Sequence, residues 1–447
     1  MGSYFREDIE TLPRDELDEL VDERIRYTVE YAYENSPFYR KWFDKTGTIP
    51  SDVQDHEDLR ELPVVSGEVI RENQPPETNI FEFKSTSWKN VFTIHETSGT
   101  SGVPKSFFLT WGDWQRYSEK YARAFVSQNF ESGDRVVVCA SYGMNIGANT
   151  MTLAAQKIGM TIIPEGKCTF PVRIIKNYEP TGIVGSVFKL LRLAHRMESE
   201  GIKPSESSIK RLIAGGESFP EESRNYLQEV WDVPVYNTYG STEGTMCGEC
   251  IKKSGLHVPE DLVHLDVYNP QLENFVEDDE CGRIVLTTLL PLGGKTGNLL
   301  INYDTDDTTT VVSRHRCKCG RTHMRIMNPQ RESETVWVSG FPFNKVDVEQ
   351  GVFQRENMDY LTGEYEAFIY GDNDKATLKV RVECDDPVSC DKDIVENNFI
   401  KTFFKYKAGL QQAHTDGTFN IMFDFTESEG LEFYRIKGRP KRLIDRR

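Results

Sequence analysis

Nine residues constrain this chain more than any other stretch: Thr97-Ser98-Gly99-Thr100-Ser101-Gly102-Val103-Pro104-Lys105. Hydroxyl side chains, two glycines and a lysine in so short a run let the backbone curl its N–H groups around an anion, with side-chain donors and a cation alongside. A Walker A loop needs Gly-Lys-Ser/Thr opening a helix. Here Pro104 precedes the lysine, and the extended apolar run Phe107-Phe108-Leu109 follows, so a P-loop NTPase is excluded. What remains is a phosphate loop leading into a strand, weighed against a plain Ser/Thr/Gly surface turn.

The chain of 447 residues is long enough for two or three domains of ~150 residues each. Its formal net charge of −18 argues against nucleic acid or an anionic membrane as a partner. Glu7, Asp8, Glu10, Asp15 and Glu16 stand where a secretory leader would be basic and then apolar, and no run approaches the ~20 apolar residues of a membrane helix. A cytoplasmic protein is the expectation. Its nine cysteines, read in a reducing compartment, point to metal rather than disulfides.

The pattern predicts an amphipathic helix over 14–35, stopped by Ser36-Pro37. From 113 to 230 helices and strands alternate, and strands such as Val136-Val137-Val138 are apolar on both faces, as covered parallel strands are. Between 262 and 313 short β-like runs take over: 282–290, 299–303 and 308–312. After Arg331 two alternating strands flank Gly371-Asp372-Asn373-Asp374 as a hairpin, with a helix near 391–406 and a strand at 419–425. The reading is therefore α/β: a large N-terminal domain over 1–330, with parallel and mixed sheets, helices and a β-rich part, and a small α+β domain over 331–447 hinged at 328–334.

Two further motifs carry chemistry. Gly215-Gly216-Glu217 follows a predicted strand, where paired glycines let a flat ring approach the backbone; an ordinary turn reads the same way. Tyr239-Gly240-Ser241-Thr242-Glu243 combines an aromatic platform, hydroxyls and a carboxylate, which are the groups that adenine stacking, α-phosphate hydrogen bonding and Mg²⁺ ligation require.

Taken in order, these motifs resemble the AMP-forming, adenylate-forming ligase superfamily. The resemblance implies a nucleotide site for ATP or GTP made of Thr97, Ser98, Gly99, Thr100, Ser101, Gly102, Lys105, Gly215, Gly216, Glu217, Tyr239, Gly240, Ser241 and Thr242. Glu243 would hold magnesium, Asp307 the ribose hydroxyls, and Arg331 would open the interdomain hinge, with Ser333 where the family usually has aspartate. Asp304 and Asp306 replace the family's arginine and glycine in the Tyr303–Asp307 motif. At the place of the family's catalytic lysine stands Arg439, whose planar fork is not equivalent to a point donor. Lys437 and Lys441 share a face with it if the segment is extended.

Cys250, His257, Cys317 and Cys319 have the make-up of a closed, structural zinc site, with Cys247 and His323 as rival ligands and buried free thiols as the plainer alternative. The phenylacetate–CoA ligase branch is similar here, and the likeness to that branch runs along nearly the whole chain. Within it, Ser141–Asn145 and two other segments resemble the coenzyme F-390 synthetases of methanogens. That narrower resemblance implies transfer of a nucleotide to the ring hydroxyl of a deazaflavin coenzyme, with Tyr142, Gly143 and Met144 at the substrate and pyrophosphate released. An acyl–CoA ligase, using a carboxylic acid and CoA, is the alternative; a nucleotide sensor without turnover is a third reading. The partner expected is a small molecule, and a homodimer stays open.

Overall fold

The computed structural model describes residues 3–97, 103–166, 171–372, 375–427, 430–431, 435–436 and 439–447. Strands β1 (Thr93–Glu96) and β2 (Ser106–Leu109) pair antiparallel as a separate hairpin that brackets the nine-residue run. The main sheet has 13 strands. Its parallel half consists of β3 (Arg135–Val138), β4 (Thr161–Ile163), β5 (Gly182–Gly185), β6 (Arg211–Gly215) and β7 (Val235–Gly240), in the order β7-β6-β5-β3-β4. Helices Trp111–Ser127, Gly147–Ile158, Val187–Ser199 and Glu221–Trp231 alternate with these strands. Val136, Val137 and Val138 are buried on both faces, as their unbroken apolar run requires.

From β7 the sheet turns antiparallel. It adds β8 (Met246–Glu249), β9 (Leu256–His257), β10 (Val263–Asn269), β11 (Asn274–Phe275), β12 (Cys281–Thr288), β13 (Tyr303–Ser313) and β14 (Arg325–Ile326), with β15 (Gln330–Arg331) on the side of β13. The spatial order is β7-β8-β9-β14-β13-β12-β10-β11. The expected strand at 299–303 is absent. Leu299, Leu300 and Ile301 are buried, but their chain is tied by single bonds, from Ile301 N to the Tyr39 hydroxyl (2.7 Å) and from Thr288 N to Leu300 O (2.8 Å), and the ladder begins only at Tyr303.

The first long helix is Arg14–Asn35, with Leu17, Val21, Ile25 and Val29 buried along one side. Ser36-Pro37 ends it and starts the next, the Ser36 hydroxyl accepting from Tyr39 N. Helix Trp111–Ser127 opens on a reciprocal cap, Thr110 accepting from Asp113 N (3.1 Å) and the Asp113 carboxylate from Thr110 N (2.8 Å).

The C-terminal part holds two small hairpins and a four-stranded sheet. The first hairpin is β16 (Val336–Val338) with β17 (Phe341–Phe343). The sheet, in the order β20-β19-β18-β23, is built from β18 (Leu361–Gly371), β19 (Ala376–Cys384), β20 (Phe419–Thr426) and a last strand at Leu443–Asp445. Between them β21 (Arg435–Ile436) pairs antiparallel with β22 (Arg439–Pro440), and Leu443–Asp445 is β23. Ile436 pairs with Arg439 across that hairpin, and Lys437, expected to share an extended face with Lys441, lies outside the described residues. One apolar cluster joins Val187, Phe188 and Leu191 of the N-terminal part to Val352, Phe353 and Tyr365 of the C-terminal part. Each such side chain removed from water contributes roughly 1.5–3 kcal/mol. The Arg442 guanidinium seals this contact, 3.4 Å from the Phe188 ring centroid and 2.6 Å from Glu364.

Candidate functional site

The β1–β2 hairpin delivers both ends of the phosphate loop to one point. Thr97 N donates to Lys105 O (3.1 Å) and Lys105 N to the Thr97 hydroxyl (3.0 Å), closing the loop at its base. Ser98, Gly99, Thr100, Ser101 and Gly102 lie outside the described residues. Glu96 N donates to the carbonyl of Met144 (3.2 Å), so the segment Tyr142-Gly143-Met144 sits against the hairpin.

Lys105 reaches from the loop to Glu243, Nζ to Oε1 at 2.8 Å, and also meets the Tyr303 hydroxyl. All three groups are largely buried. Burial pushes the Glu243 carboxyl up, but the Lys105 ammonium outweighs it and holds the group below its ordinary value. The expected phosphate cation and the expected magnesium ligand thus neutralise each other across 138 residues of sequence.

A second cluster adjoins the first. Tyr239, at the end of β7, donates its hydroxyl to Asp307 Oδ2 (2.7 Å), and Arg331 Nε lies 2.9 Å from Asp307 Oδ1. The register that pairs Asp307 with Arg331 brings β13 and β15 together here. Burial raises the Asp307 carboxyl against the pull of Arg331, and it raises the Tyr239 phenol well above its usual range, with Asp307 adding to the effect. The residues expected at adenine, ribose and hinge are therefore neighbours.

The substitutions in the Tyr303–Asp307 motif have their own partners. Asp306 stands at the family's glycine with φ +63°, a left-handed conformation that aspartate tolerates better than most residues. Its carboxylate accepts from the Ser333 hydroxyl (2.6 Å), and Asp304 pairs with Arg283 (2.9 Å). Gly215 packs so closely on Thr238 that a Cβ there would lie 2.5 Å from its hydroxyl, whereas Gly216, at φ +85°, has open space in front of it. Glu217 is engaged by Lys345 of the C-terminal part (3.0 Å), which also reaches Glu349 (3.2 Å). Neither Lys345 nor Glu349 carried any signal in the sequence, because a lone Lys-x-x-x-Glu is ordinary helix surface until the fold buries it. Arg439 lies in β22; its side chain is outside the described residues.

Away from this cleft, Cys250, His257, Cys317 and Cys319 bring one ligand atom each to within 4.8 Å of one another, all buried. Cys250 and Cys317 sulfurs are 3.9 Å apart, and His257 Nε2 is 3.7 Å from the Cys319 sulfur. Tetrahedral zinc with bonds of about 2.3 Å sets its sulfurs about 3.8 Å apart, so the donor set and its spacing fit that ion. The rivals drop out. His323 spends both ring nitrogens on backbone groups of Val258, Glu260 and Ile9, and Cys247 is not among the four converging residues. Among the described residues Cys384 and Cys390 belong to no metal cluster, but they adjoin each other; burial and the hydrogen bond between them push the Cys384 thiol up to about 12.

A helix-flanked parallel sheet that continues into an antiparallel half, with a second, smaller sheet packed against helix Val187–Ser199, is the architecture of adenylate-forming ligases. The AMP-binding enzyme family matches residues 20–303, more than half of the chain, and the chain belongs to that family. It is 29% identical to the phenylacetate-coenzyme A ligase of Thermus thermophilus over 328 residues, 72% of each chain. Against the same-named ligase of Pseudomonas putida it is 26% identical over 384 residues, 84% of this chain and 83% of the relative. Among solved structures it resembles 2-hydroxyisobutyryl-CoA ligase in the postadenylation state (TM-score 0.82, 21% identity, 98% of this chain and 91% of that one). The same ligase in its thioesterification state gives 0.68 over 99% and 92%. At that identity the likeness speaks for the fold. The narrower resemblance to coenzyme F-390 synthetase finds no support among these relatives. No helix among the described residues is long and apolar enough to cross a membrane.

Proposed function

We propose that this protein is an ATP-dependent, AMP-forming acid–CoA ligase of the phenylacetate type. The observation that carries the proposal is the meeting of Lys105, Glu243 and Tyr303 with Tyr239, Asp307 and Arg331 in one cleft, in a chain related to phenylacetate–CoA ligases over most of its length. The acid carboxylate attacks the α-phosphorus of ATP; a P–O bond to pyrophosphate breaks and an acyl adenylate forms. The thiolate of CoA then attacks the acyl carbon and releases AMP.

The residues divide that work. Lys105 and the Ser/Thr/Gly loop receive the phosphates, which frees Glu243 from its ammonium partner. Magnesium, when bound, supplies charge neutralisation on the phosphates, and Glu243 would hold it. Thr242 supplies a hydroxyl to the α-phosphate, Tyr239 and Gly216 a platform for the base, and Asp307 the ribose contact, oriented by Arg331. Tyr142, Gly143 and Met144 stand at the acid. Arg331 opens the hinge between 1–330 and 331–447, and zinc would sit in the Cys250–His257–Cys317–Cys319 cluster.

A second reading, nucleotide transfer to the anionic ring hydroxyl of a deazaflavin coenzyme, is favoured by Arg439 in place of the family's lysine. A conjugated phenolate needs alignment rather than a lysine that steadies a small carboxylate. A pyrophosphate-release screen separates the readings. Aryl and alkyl acids with CoA should give thioester and AMP; release with the deazaflavin alone, indifferent to CoA, would replace the ligase reading with the second. No release with any substrate would leave a nucleotide sensor. In either enzyme Arg439→Ala should slow the first step by ~10²–10³-fold, the usual loss for one charge-stabilising donor.

A further inference from the structure

Between the Cys₃His cluster and the turn that carries Glu243 lies a small cavity of about 30 Å³, room for one water-sized occupant, lined by Lys120, Arg123, His257, Glu10, Arg321 and His323 among others. Its side-chain acceptors are committed. Glu10 accepts from Phe5 N, Arg6 N and Arg321 Nε (2.9, 2.8 and 2.6 Å). His323 is held by backbone groups through both ring nitrogens.

Two nitrogens on its wall are not committed. Arg123 Nε and His257 Nδ1 are buried without a hydrogen-bond partner, although Arg123 spends its other nitrogens on Asp261 and Glu119. Lys120 is 5% exposed and, among the described residues, donates only to the Gly244 carbonyl (2.6 Å), with the Tyr117 ring centroid 5.3 Å away and no carboxylate in ion-pair range. Burial, with Arg116 and Arg123 adding to it against Cys247 and Asp261, pushes its ammonium down to about 7, the mark of a buried cation short of a counter-charge.

We propose that this cavity is a binding site for a small monovalent anion of halide type, held by Lys120 and Arg123 Nε. Unsatisfied donors facing side-chain acceptors already in use call for an occupant that only accepts. A water molecule would bring two protons of its own in need of acceptors, whereas an anion brings none and favours the ammonium form of Lys120. Through Lys120 it also bears on Gly244, next to Glu243, so occupancy steadies the turn of the nucleotide site from behind.

Crystals of the full-length wild-type protein grown in sodium bromide and measured at the bromine edge should show an anomalous peak in the cavity, within hydrogen-bond range of Lys120 Nζ and Arg123 Nε. In solution, with bromide replacing gluconate at constant ionic strength, the unfolding temperature should rise for wild type and for Lys120→Arg and stay flat for Lys120→Met. A cavity without the peak, or holding only water, overturns the proposal, and so does an equal bromide response in wild type and Lys120→Met. Should Lys120→Met fail to fold, the crystals alone decide. Neither readout uses turnover, so failure of the ligase reading would leave this result standing, and the reverse.

Discussion

The Cys₃His cluster and the Glu243 centre both gather charge inside the protein, and they do so by opposite rules. In the cluster four soft donors point at one another, and the nearest cation, Arg321 Nη1, stands 3.7 Å from the Cys319 sulfur. Around Glu243 each charge already has its opposite: Lys105 on Glu243, Arg331 on Asp307. Ligand atoms converging on one point would suit a site that keeps an ion permanently. Charges already paired describe a site that must open each time a ligand enters, which suits a catalyst that binds and releases nucleotide. The strand β8 links the two, beginning at Met246 just after the Glu243 turn and ending at Glu249 just before Cys250.

The comparison breaks most easily at the cluster. Cys317→Ser combined with Cys319→Ser should abolish bound zinc, expected at about one per chain by the four-ligand rule, and leave little folded protein. Metal analysis with thermal unfolding checks it, and metal-free protein of full stability would remove the zinc assignment. Next in size is Glu243→Gln. It should lower kcat by ~10²–10³-fold while ATP binding changes little, because a hard anionic ligand is lost and the volume is kept; single-turnover kinetics beside calorimetric titration separates the two effects.

Lys345→Met tests a third charged group, one that joins the two parts of the chain. It strands Glu217 and Glu349 without their shared cation, and removing one partner of a buried pair destabilises by about 3–5 kcal/mol. The C-terminal part should relieve this by moving away. Small-angle scattering should show a more open molecule, and the first half-reaction should suffer more than the second. An unchanged scattering curve with equal losses in both steps would mean that Lys345 does not latch the parts.

The smallest effect is a matter of pH. Asp261 is held below the usual carboxylate range: its burial pushes the other way, but Arg123 prevails, with Arg24 also in contact. Such a group stabilises the fold above its unfolded pKa of about 3.9 and loses that contribution as pH falls toward the lower folded value. Urea midpoints measured from pH 6 downward should therefore drop for wild type, and more shallowly for Asp261→Asn.

Much of this was legible in the sequence, because it rests on local rules. Residues in an unbroken apolar run had to be a covered strand, which placed Val136–Val138; a turn cluster between alternating runs had to be a hairpin, which placed β18 and β19. The cysteines and His257 were chosen as candidates by their chemistry and by resemblance to the phenylacetate–CoA ligase branch, and the phosphate loop and the Tyr239–Glu243 motif by their chemistry together with resemblance to the adenylate-forming ligases. Tertiary structure decided what depends on distance through space. It removed His323 and Cys247 from the metal set, paired Lys105 with Glu243 and Lys345 with Glu217, and gave Asp306 a left-handed backbone with Ser333 as its partner. It also left buried Leu299–Ile301 outside the ladder and gathered the cavity behind Gly244 from the helix Trp111–Ser127, β9 and the N-terminal segment. The physical reason is common to all of these. Propensity and periodicity act over a few neighbouring residues, whereas a buried charge takes whatever partner the packing brings, however far away along the chain.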